Sequence, residues 1–122
     1  MAWLRYGVGL AMLAAGLPHF THPGFYVQVF PPWVPPGWAL GLVYASGLAE
    51  VAVGALLLGR QTYRLGVAGL LGLMAAFGLL HAYHLLDPPA ALGLPGWAYA
   101  LRAGLQAAIA WGCLRWWRSL GP

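Results

Sequence analysis

Residues 38–58 read WALGLVYASGLAEVAVGALLL, an apolar run that contains a single acidic residue, Glu50. At about 20 residues, the run is long enough to cross a bilayer as a helix. A carboxylate within such a helix costs roughly 3 kcal/mol to insert. Ionisable groups inside membrane helices usually belong to functional sites and have a partner. The stretch therefore predicts a membrane-spanning helix, and Glu50 is the first candidate site residue.

The composition of the whole chain is typical of an integral membrane protein. Of its 122 residues, 61% are hydrophobic and 7% are charged, whereas soluble domains carry about 25% charged residues. The net charge of +4 arises from six arginines, most of which flank apolar runs. This placement indicates membrane topology rather than a nucleic-acid surface, so no nucleic-acid partner is expected. The single cysteine excludes an intramolecular disulfide and a CxxC redox centre.

Three further apolar runs complete a predicted all-α, polytopic membrane four-helix bundle made of two helical hairpins. The predicted spans are residues 3–20, 38–58, 65–86 and 97–117. They form one transmembrane domain, residues 1–122, and Pro18 is expected to end or kink the first span. Arg5 before an apolar run also has the form of a signal peptide, but the polar residues that follow favour a retained first span.

The arginines and the connecting segments predict the orientation of these spans. Five arginines cluster on one side, and the positive-inside rule places that side, with both termini, in the cytoplasm of a multi-pass cell-membrane protein. The outer loop, residues 21–37, reads THPGFYVQVFPPWVPPG and carries no charge. We expect it to fold back over the outer mouth of the bundle, either as an interfacial anchor or as a lid over a site.

Polar side chains from all four spans are expected to lie in the outer half of the bundle. At 1.5 Å per residue along a helix, Glu50 lies near mid-membrane, and the long side chain of Arg102 makes it the natural counter-ion. The predicted ligand-binding residues are His19, Ser46, Glu50, His81, His84, Arg102 and Gln106. This set predicts either a pocket that binds a small ligand or relays protons, or a salt bridge that only fixes helix register.

Several ligands fit these residue types. Histidine and arginine donors beside apolar helix walls suit the carbonyl groups and the tail of a quinone. Two HxxH pairs, His19–His22 and His81–His84, together with Glu50 could supply zinc or iron ligands. His19 and His81 could also ligate haem. Because histidines at this spacing are common by chance, a quinone is favoured over a metal or haem, and no cofactor is certain.

Short motifs along the chain follow the order of a known family. They are Gly16-Leu-Pro-His19-Phe20, Pro31, Val34-Pro35, Ser46-Gly-Leu-Ala-Glu50, Arg64, Arg102 and Gln106. In this order and spacing the chain resembles the DoxX-like family of small four-helix membrane proteins. The resemblance implies that His19, Glu50, Arg102 and Gln106 occupy recurring polar positions of that family. His81 and His84 stand where many of its members carry asparagine.

The resemblance also implies a class of function. The family takes its name from a membrane subunit of a thiosulfate:quinone oxidoreductase, so the chain is expected to be an accessory subunit of an oxidoreductase rather than an autonomous enzyme. Other members act in thiol and oxidative stress or as chaperones for receptor assembly, which implies a non-enzymatic assembly protein as the alternative. Related families that oxidise dithiols use cysteine pairs, whereas this chain has only Cys113, which is expected to be a packing residue.

The expected partners follow from the same features. The lipid bilayer is the first partner, and a membrane or soluble protein on a separate chain is the next. A second copy of the chain is a further candidate, because a third candidate function requires it. In that function, Glu50 and the histidines relay protons or line a small transporter, and four helices alone leave little room for such a path.

Overall fold

The computed structural model describes residues 2–122, which fold into helices without any strand. In chain order the helices are α1 (Ala2–Gly16), α2 (Pro18–Thr21), α3 (Pro23–Val27), α4 (Pro36–Leu58), α5 (Tyr63–Leu86) and α6 (Gly96–Ser119). A short 3₁₀ helix, Ala90–Leu92, lies between the last two. The all-α prediction is confirmed, and each predicted apolar segment contains one long helix.

Two of the long helices have the length and composition of membrane spans. They are α4 with 23 residues and α5 with 24, or about 35 Å each at 1.5 Å per residue, which exceeds the roughly 30 Å of a hydrocarbon core. Helix α1 is shorter, with 15 residues, and α6 contains three arginines. Length and composition therefore indicate a membrane protein through α4 and α5.

Pro18 interrupts the first apolar segment. Helix α1 ends at Gly16, and Pro18 occupies the first position of α2. Proline suits this position because its missing N–H would have no partner within the helix. The N–H of Leu17 still donates to the Leu13 carbonyl at 3.2 Å, so only one residue separates the two helices. The prediction that Pro18 ends or kinks the first helix is confirmed.

The long helices pack in chain order, α1 against α4, α4 against α5, and α5 against α6. Helices α2 and α3 pack against α4 as well. A buried cluster receives side chains from all four long helices, namely Met12, Val53, Leu57, Val67, Leu70 and Cys113. The prediction that Cys113 is a packing residue is confirmed by its place in this cluster.

Glycines bring α1 and α4 into backbone contact. A Cβ atom on Gly54 would lie 2.8 Å from the carbonyl oxygen of Gly9, and one on Gly16 would lie 2.9 Å from that of Gly47. Both distances are shorter than a van der Waals contact, so a side chain at either position would force the helices apart. Small residues of this kind allow close packing of membrane helices. Because Gly47 lies one turn from Glu50, this approach also brings α1 to the acidic side chain.

The two ends of the helices differ. We call one the turn end, where residues 59–62 connect α4 to α5 and where Arg64 Nη2 donates to the Gly121 carbonyl at 2.5 Å. We call the other the loop end, which carries residues 22–35 and 87–95. Here His84 Nε2 lies 2.7 Å from the Val29 carbonyl oxygen. The candidate functional residues lie between the middle of the helices and this loop end.

Candidate functional site

A cavity of about 230 Å³ lies between the helices on the side of the loop end. We call it the loop-end cavity. Five of the seven predicted site residues line it, and they are His19, Ser46, Glu50, His81 and Arg102. Aromatic and aliphatic side chains complete the wall, namely Phe25, Tyr26, Val29, Phe30, Val43, Phe77 and Leu80. Residues distant in sequence thus meet in one polar, partly aromatic cavity.

Glu50 contacts His19 in this cavity. The Oε2 atom of Glu50 lies 3.3 Å from Nδ1 of His19, and each residue is only 7% exposed. The same Nδ1 atom lies 3.1 Å from the carbonyl oxygen of Ala15. A carbonyl oxygen only accepts hydrogen bonds, so Nδ1 is the donor in its contact with Ala15. Glu50 Oε2 lies within ion-pair distance of His19 but has no hydrogen-bond partner within residues 2–122.

The predicted ion pair between Glu50 and Arg102 is wrong. Within residues 2–122, Glu50 has a basic partner within 4.0 Å only in His19, although Arg102 lines the same cavity. The reason is the packing order of the helices. Helix α4 contacts α1 directly through the glycine at position 47, whereas α6 packs against α5. Glu50 therefore meets the histidine that follows α1.

The segment after α2 covers this pair with an aromatic ring. The ring of Tyr26 stacks on His19 with centroids 3.9 Å apart and planes 16° from parallel. Phe25 contacts Tyr26 edge-on at 5.4 Å. Burial, and secondarily the nearby Glu50 carboxylate, raise the pKa of Tyr26 above its ordinary value of 10.0, so its hydroxyl remains a hydrogen-bond donor. Tyr26 was not singled out from the sequence, where the only signal for it was the aromatic, charge-free loop.

His81 contributes a second polar atom without a partner. Its Nδ1 atom is buried and forms no hydrogen bond with any residue in the described range 2–122, as is also true of Glu50 Oε2. Ser46 is different, because its Oγ donates to the Leu42 carbonyl at 2.7 Å and keeps lone pairs that can accept. Buried polar atoms are normally hydrogen-bonded. Glu50 Oε2 and His81 Nδ1 are exceptions, and both residues line the same cavity. This indicates a position for a polar molecule.

Two predicted site residues lie outside the loop-end cavity. His84 is 1% exposed, and its Nε2 lies 2.7 Å from the Val29 carbonyl oxygen. It lines a separate cavity of about 290 Å³ beneath residues 28–32 and 87–91. Gln106 Nε2 donates to the Met74 carbonyl at 2.9 Å. His84 thus joins the loop-end segment that carries Val29 to α5, and Gln106 joins α6 to α5.

Comparison with known proteins gives the family of the chain. Residues 8–115 match a family described as a domain of unknown function, DUF8561. The chain belongs to the DUF8561 family. The resemblance to the DoxX-like family is therefore wrong, because the matching family model is a different one. Its motifs were glycines, prolines and single polar residues, which recur in unrelated membrane helices because the bilayer limits their composition.

No curated protein and no solved structure matches this DUF8561 chain. Within residues 2–122, no group of three or more His, Cys, Asp or Glu side chains could hold a metal ion. Only one histidine of each HxxH pair lines the loop-end cavity. His22 is exposed and bonds Thr21 Oγ1 at 2.8 Å, and His84 contacts the Val29 carbonyl oxygen. The four histidines and Glu50 thus do not form one ligand set.

The size of the loop-end cavity limits what this DUF8561 protein can hold there. Sites for drug-sized ligands measure about 300–1,000 Å³, so about 230 Å³ suits a single ring or a molecule of similar size and is too small for a haem macrocycle. The Arg102 guanidinium and the Tyr26 hydroxyl are donors, and Glu50 and Ser46 offer acceptor oxygens. The cavity can therefore bind a small molecule that carries hydrogen-bond acceptors.

Proposed function

We propose that this DUF8561 protein is a multi-pass membrane protein with four spans that binds a small ligand in the loop-end cavity. The lengths of α4 and α5 support the membrane location. The buried cluster contains side chains from all four long helices, which supports a four-helix bundle. Exposed tryptophans near both ends of the helices resemble the aromatic belts at membrane interfaces, and they are Trp3, Trp117, Trp33, Trp38 and Trp97.

The distribution of charge supports an orientation for this bundle. Five of the six arginines lie at or near the turn end, and they are Arg5, Arg60, Arg64, Arg115 and Arg118. The positive-inside rule favours a cytoplasmic location for that end in a cell-membrane protein. Under this orientation, the loop-end cavity lies in the outer half of the bilayer, beneath the segment that carries Tyr26.

The observation that carries the proposal is the pair of buried atoms without a partner, Glu50 Oε2 and His81 Nδ1. A salt bridge that only fixed helix register would account for Glu50 and His19. It would account neither for the cavity beside them nor for His81. A bound molecule that hydrogen-bonds to these atoms would remove the cost of about 1–3 kcal/mol that each incurs when buried alone.

The head group of a quinone fits the cavity best. Its two carbonyl oxygens are acceptors, for which the Arg102 guanidinium, the Tyr26 hydroxyl and a ring N–H of His81 are available as donors. In the reduced, quinol form a hydroxyl group would donate to Glu50 Oε2. Its flat ring matches the aromatic side of the cavity, where Phe25, Phe30 and Phe77 lie. The volume of about 230 Å³ admits the ring, and the isoprenoid tail would extend into the bilayer between helices.

Titration with ubiquinone-1, a quinone with a short tail, tests the proposal. Purified protein in neutral detergent is dialysed to equilibrium against the quinone, and the same is done with Arg102→Gln and Arg115→Gln. Both substitutions remove one arginine from α6, but only Arg102 lines the cavity. A hydrogen bond to a charged donor contributes about 1.5–3 kcal/mol, so Arg102→Gln is expected to weaken binding by at least about tenfold. Arg115→Gln is expected to bind like the unaltered protein.

Two results would contradict quinone binding at this site. One is uptake that never saturates, which would indicate partition into the detergent. The other is an equal loss of affinity in both arginine variants, which would indicate an effect of net charge. Thermal unfolding of each variant serves as the control for folding.

A further inference from the structure

A second cavity lies at the turn end, on the opposite end of the helices from the proposed quinone site. It measures about 790 Å³, and we call it the turn-end cavity. Its lining residues are Ala2, Arg5, Arg60, Tyr63, Trp116, Ser119 and Leu120. This set contains two arginines and no acidic residue. From the sequence, these arginines indicated only the orientation of the protein in a membrane.

Arg5 is held in a fixed position within this cavity. Its Nη2 atom donates to the Tyr6 hydroxyl at 2.8 Å. Its guanidinium carbon lies 4.7 Å from the ring centroid of Tyr6 and 5.3 Å from that of Tyr63, distances at which a cation is attracted to an aromatic face. Its Nε atom is buried and has no hydrogen-bond partner within residues 2–122. The two rings therefore orient a charged group that has an unused donor.

Arg60 provides a second guanidinium at the same cavity. It lies in the turn between α4 and α5, is exposed, and forms no hydrogen bond or ion pair with any residue in the described range 2–122. Arg64 makes a useful contrast, because its Nη2 and Nη1 donate to the carbonyls of Gly121 at 2.5 Å and Pro122 at 3.4 Å. Arg64 is thus occupied by the protein itself, whereas Arg5 and Arg60 retain donors for another molecule.

Neither acidic side chain of the protein can neutralise these two arginines. Glu50 lies against His19 at the loop-end cavity. Asp87 accepts a hydrogen bond from the Tyr83 hydroxyl at 2.8 Å, at the loop end. Within the described residues, the turn-end cavity is therefore a positively charged site that no acidic side chain lines.

We propose that the turn-end cavity binds the phosphate group of an anionic ligand between Arg5 and Arg60. The planar guanidinium matches phosphate oxygens through paired N–H donors, and arginine is favoured for phosphate recognition for this reason. The site is separate from the proposed quinone site and does not depend on it. Trp116 and Tyr63 line the same cavity near helix ends, where aromatic residues of membrane proteins meet lipid headgroups. The phosphate can therefore come from a lipid headgroup or from solution.

The test measures the binding of two lipids of equal chain length and of inorganic phosphate. Dioctanoyl phosphatidate carries an anionic phosphate monoester, and dioctanoyl phosphatidylcholine is the zwitterionic comparison. Native mass spectrometry in neutral detergent is expected to show at least about tenfold tighter binding of the phosphatidate, since each charge-assisted hydrogen bond contributes about 1.5–3 kcal/mol. Arg60→Gln and Arg5→Gln are expected to remove most of this preference.

Arg115→Gln and Arg118→Gln are the matched controls, because they remove one charge each near the same end and neither residue lines the cavity. Both are expected to bind phosphatidate like the unaltered protein. If Arg5→Gln fails to fold, Arg60→Gln decides the result, because Arg60 is exposed and has no internal partner to lose within the described residues.

Competition between phosphatidate and inorganic phosphate identifies the source of the phosphate group. Displacement of phosphatidate by millimolar inorganic phosphate would support the site and show that free phosphate suffices, whereas retention would support it as a site for a lipid headgroup. Equal affinity for the two lipids would overturn the proposal. So would an equal loss of phosphatidate binding in Arg60→Gln and Arg115→Gln, because it would reduce the effect to general attraction by positive charge.

Discussion

The buried polar atoms of single residues in this protein differ in whether they have a hydrogen-bond partner. His84 Nε2 lies 2.7 Å from the Val29 carbonyl oxygen, and its ring is almost fully buried. Glu50 Oε2, His81 Nδ1 and the second ring nitrogen of His84, Nδ1, are instead buried without a hydrogen-bond partner within residues 2–122. The first arrangement stabilises the protein, because it satisfies a backbone group of the loop-end segment that carries Val29. The second reduces stability unless another molecule supplies the missing hydrogen bonds.

His84→Ala is expected to destabilise the protein by at least about 1–3 kcal/mol, because it leaves the Val29 carbonyl oxygen without its donor and removes a buried ring. The matched control is His22→Ala, since His22 is exposed and its ring bonds only the neighbouring Thr21 hydroxyl within the described residues. We expect His22→Ala to change stability by less than about 0.5 kcal/mol. The measurement is chemical unfolding in mixed micelles, followed by circular dichroism.

Equal stabilities for the two histidine variants would mean that the link between His84 and the outer loop contributes nothing. A selective loss of stability would instead identify that link as one of the contacts that hold the loop in place.

The sequence identified most of the cavity at the level of residues but not the partner of Glu50. Five of the seven predicted residues line the loop-end cavity. They were predictable because the depth of a residue within a helix follows from its position in the sequence. Depth does not determine which helices are neighbours, however. Arg102 was expected beside Glu50 because its long side chain can reach deeper along the helix, whereas the packing order placed His19 there. Tyr26 was not predicted individually because its stacking depends on the path of a loop.

Among the secondary-structure elements, α1 and α4 are the most closely joined pair. The glycine pairs Gly9–Gly54 and Gly16–Gly47 bring backbone against backbone at points two helical turns apart. No comparable pair occurs in α6 within the described residues, where a Cβ atom on Gly104 or Gly112 would have no neighbour within 4 Å. The close contact between α1 and α4 holds His19 against Glu50.

Gly54→Ala is expected to destabilise the protein by about 1–3 kcal/mol, because overpacking at a close contact displaces the backbone. Its added Cβ would lie 2.8 Å from the Gly9 carbonyl oxygen. The control is Gly41→Ala in the same helix, where the space is open and the lower backbone entropy of alanine adds roughly 0.5–1 kcal/mol of stability. Thermal unfolding of both variants in the same detergent gives the comparison.

If Gly54→Ala proved as stable as Gly41→Ala, α1 and α4 would not be in backbone contact. The position of His19 beside Glu50 would then need another cause.

Helix positions were predictable to within a few residues because hydropathy and proline mark them directly. Helix α4 begins at Pro36 and α5 ends at Leu86, close to the limits set by the apolar runs. The short helices α2 and α3 were not predicted, since four or five residues are too few to produce a periodic pattern. Each begins at a proline, which is the only local signal of its start.

At the scale of the whole molecule, the two ends have opposite chemical character. Asp87 lies at the loop end, and Glu50 lines the loop-end cavity. The turn end carries most of the arginines and the larger cavity. In a membrane this polarity would separate the proposed quinone site from the proposed phosphate site by most of the thickness of the bilayer.

Cysteine labelling tests the proposed four-span topology. In a Cys113→Ala background, Gln61→Cys and Ala91→Cys place one thiol at each end, at positions that are exposed. We expect a membrane-impermeant maleimide to label Ala91→Cys on intact cells, and to label Gln61→Cys only after permeabilisation, since the positive-inside rule places the turn end inside. Labelling of both variants on intact cells, or of neither, would contradict this topology.

The contact between Glu50 and His19 has a consequence for the order of events during biosynthesis. A chain leaves the ribosome from its N-terminus, and its early segments are available first. When α4 enters the bilayer with its carboxylate, the histidine upstream of it has already been made, whereas Arg102 belongs to the last helix. An upstream partner shortens the time for which the acidic side chain faces lipid alone. In the proposed four-span arrangement, the first two long helices could thus insert as one unit before the rest of the protein is translated.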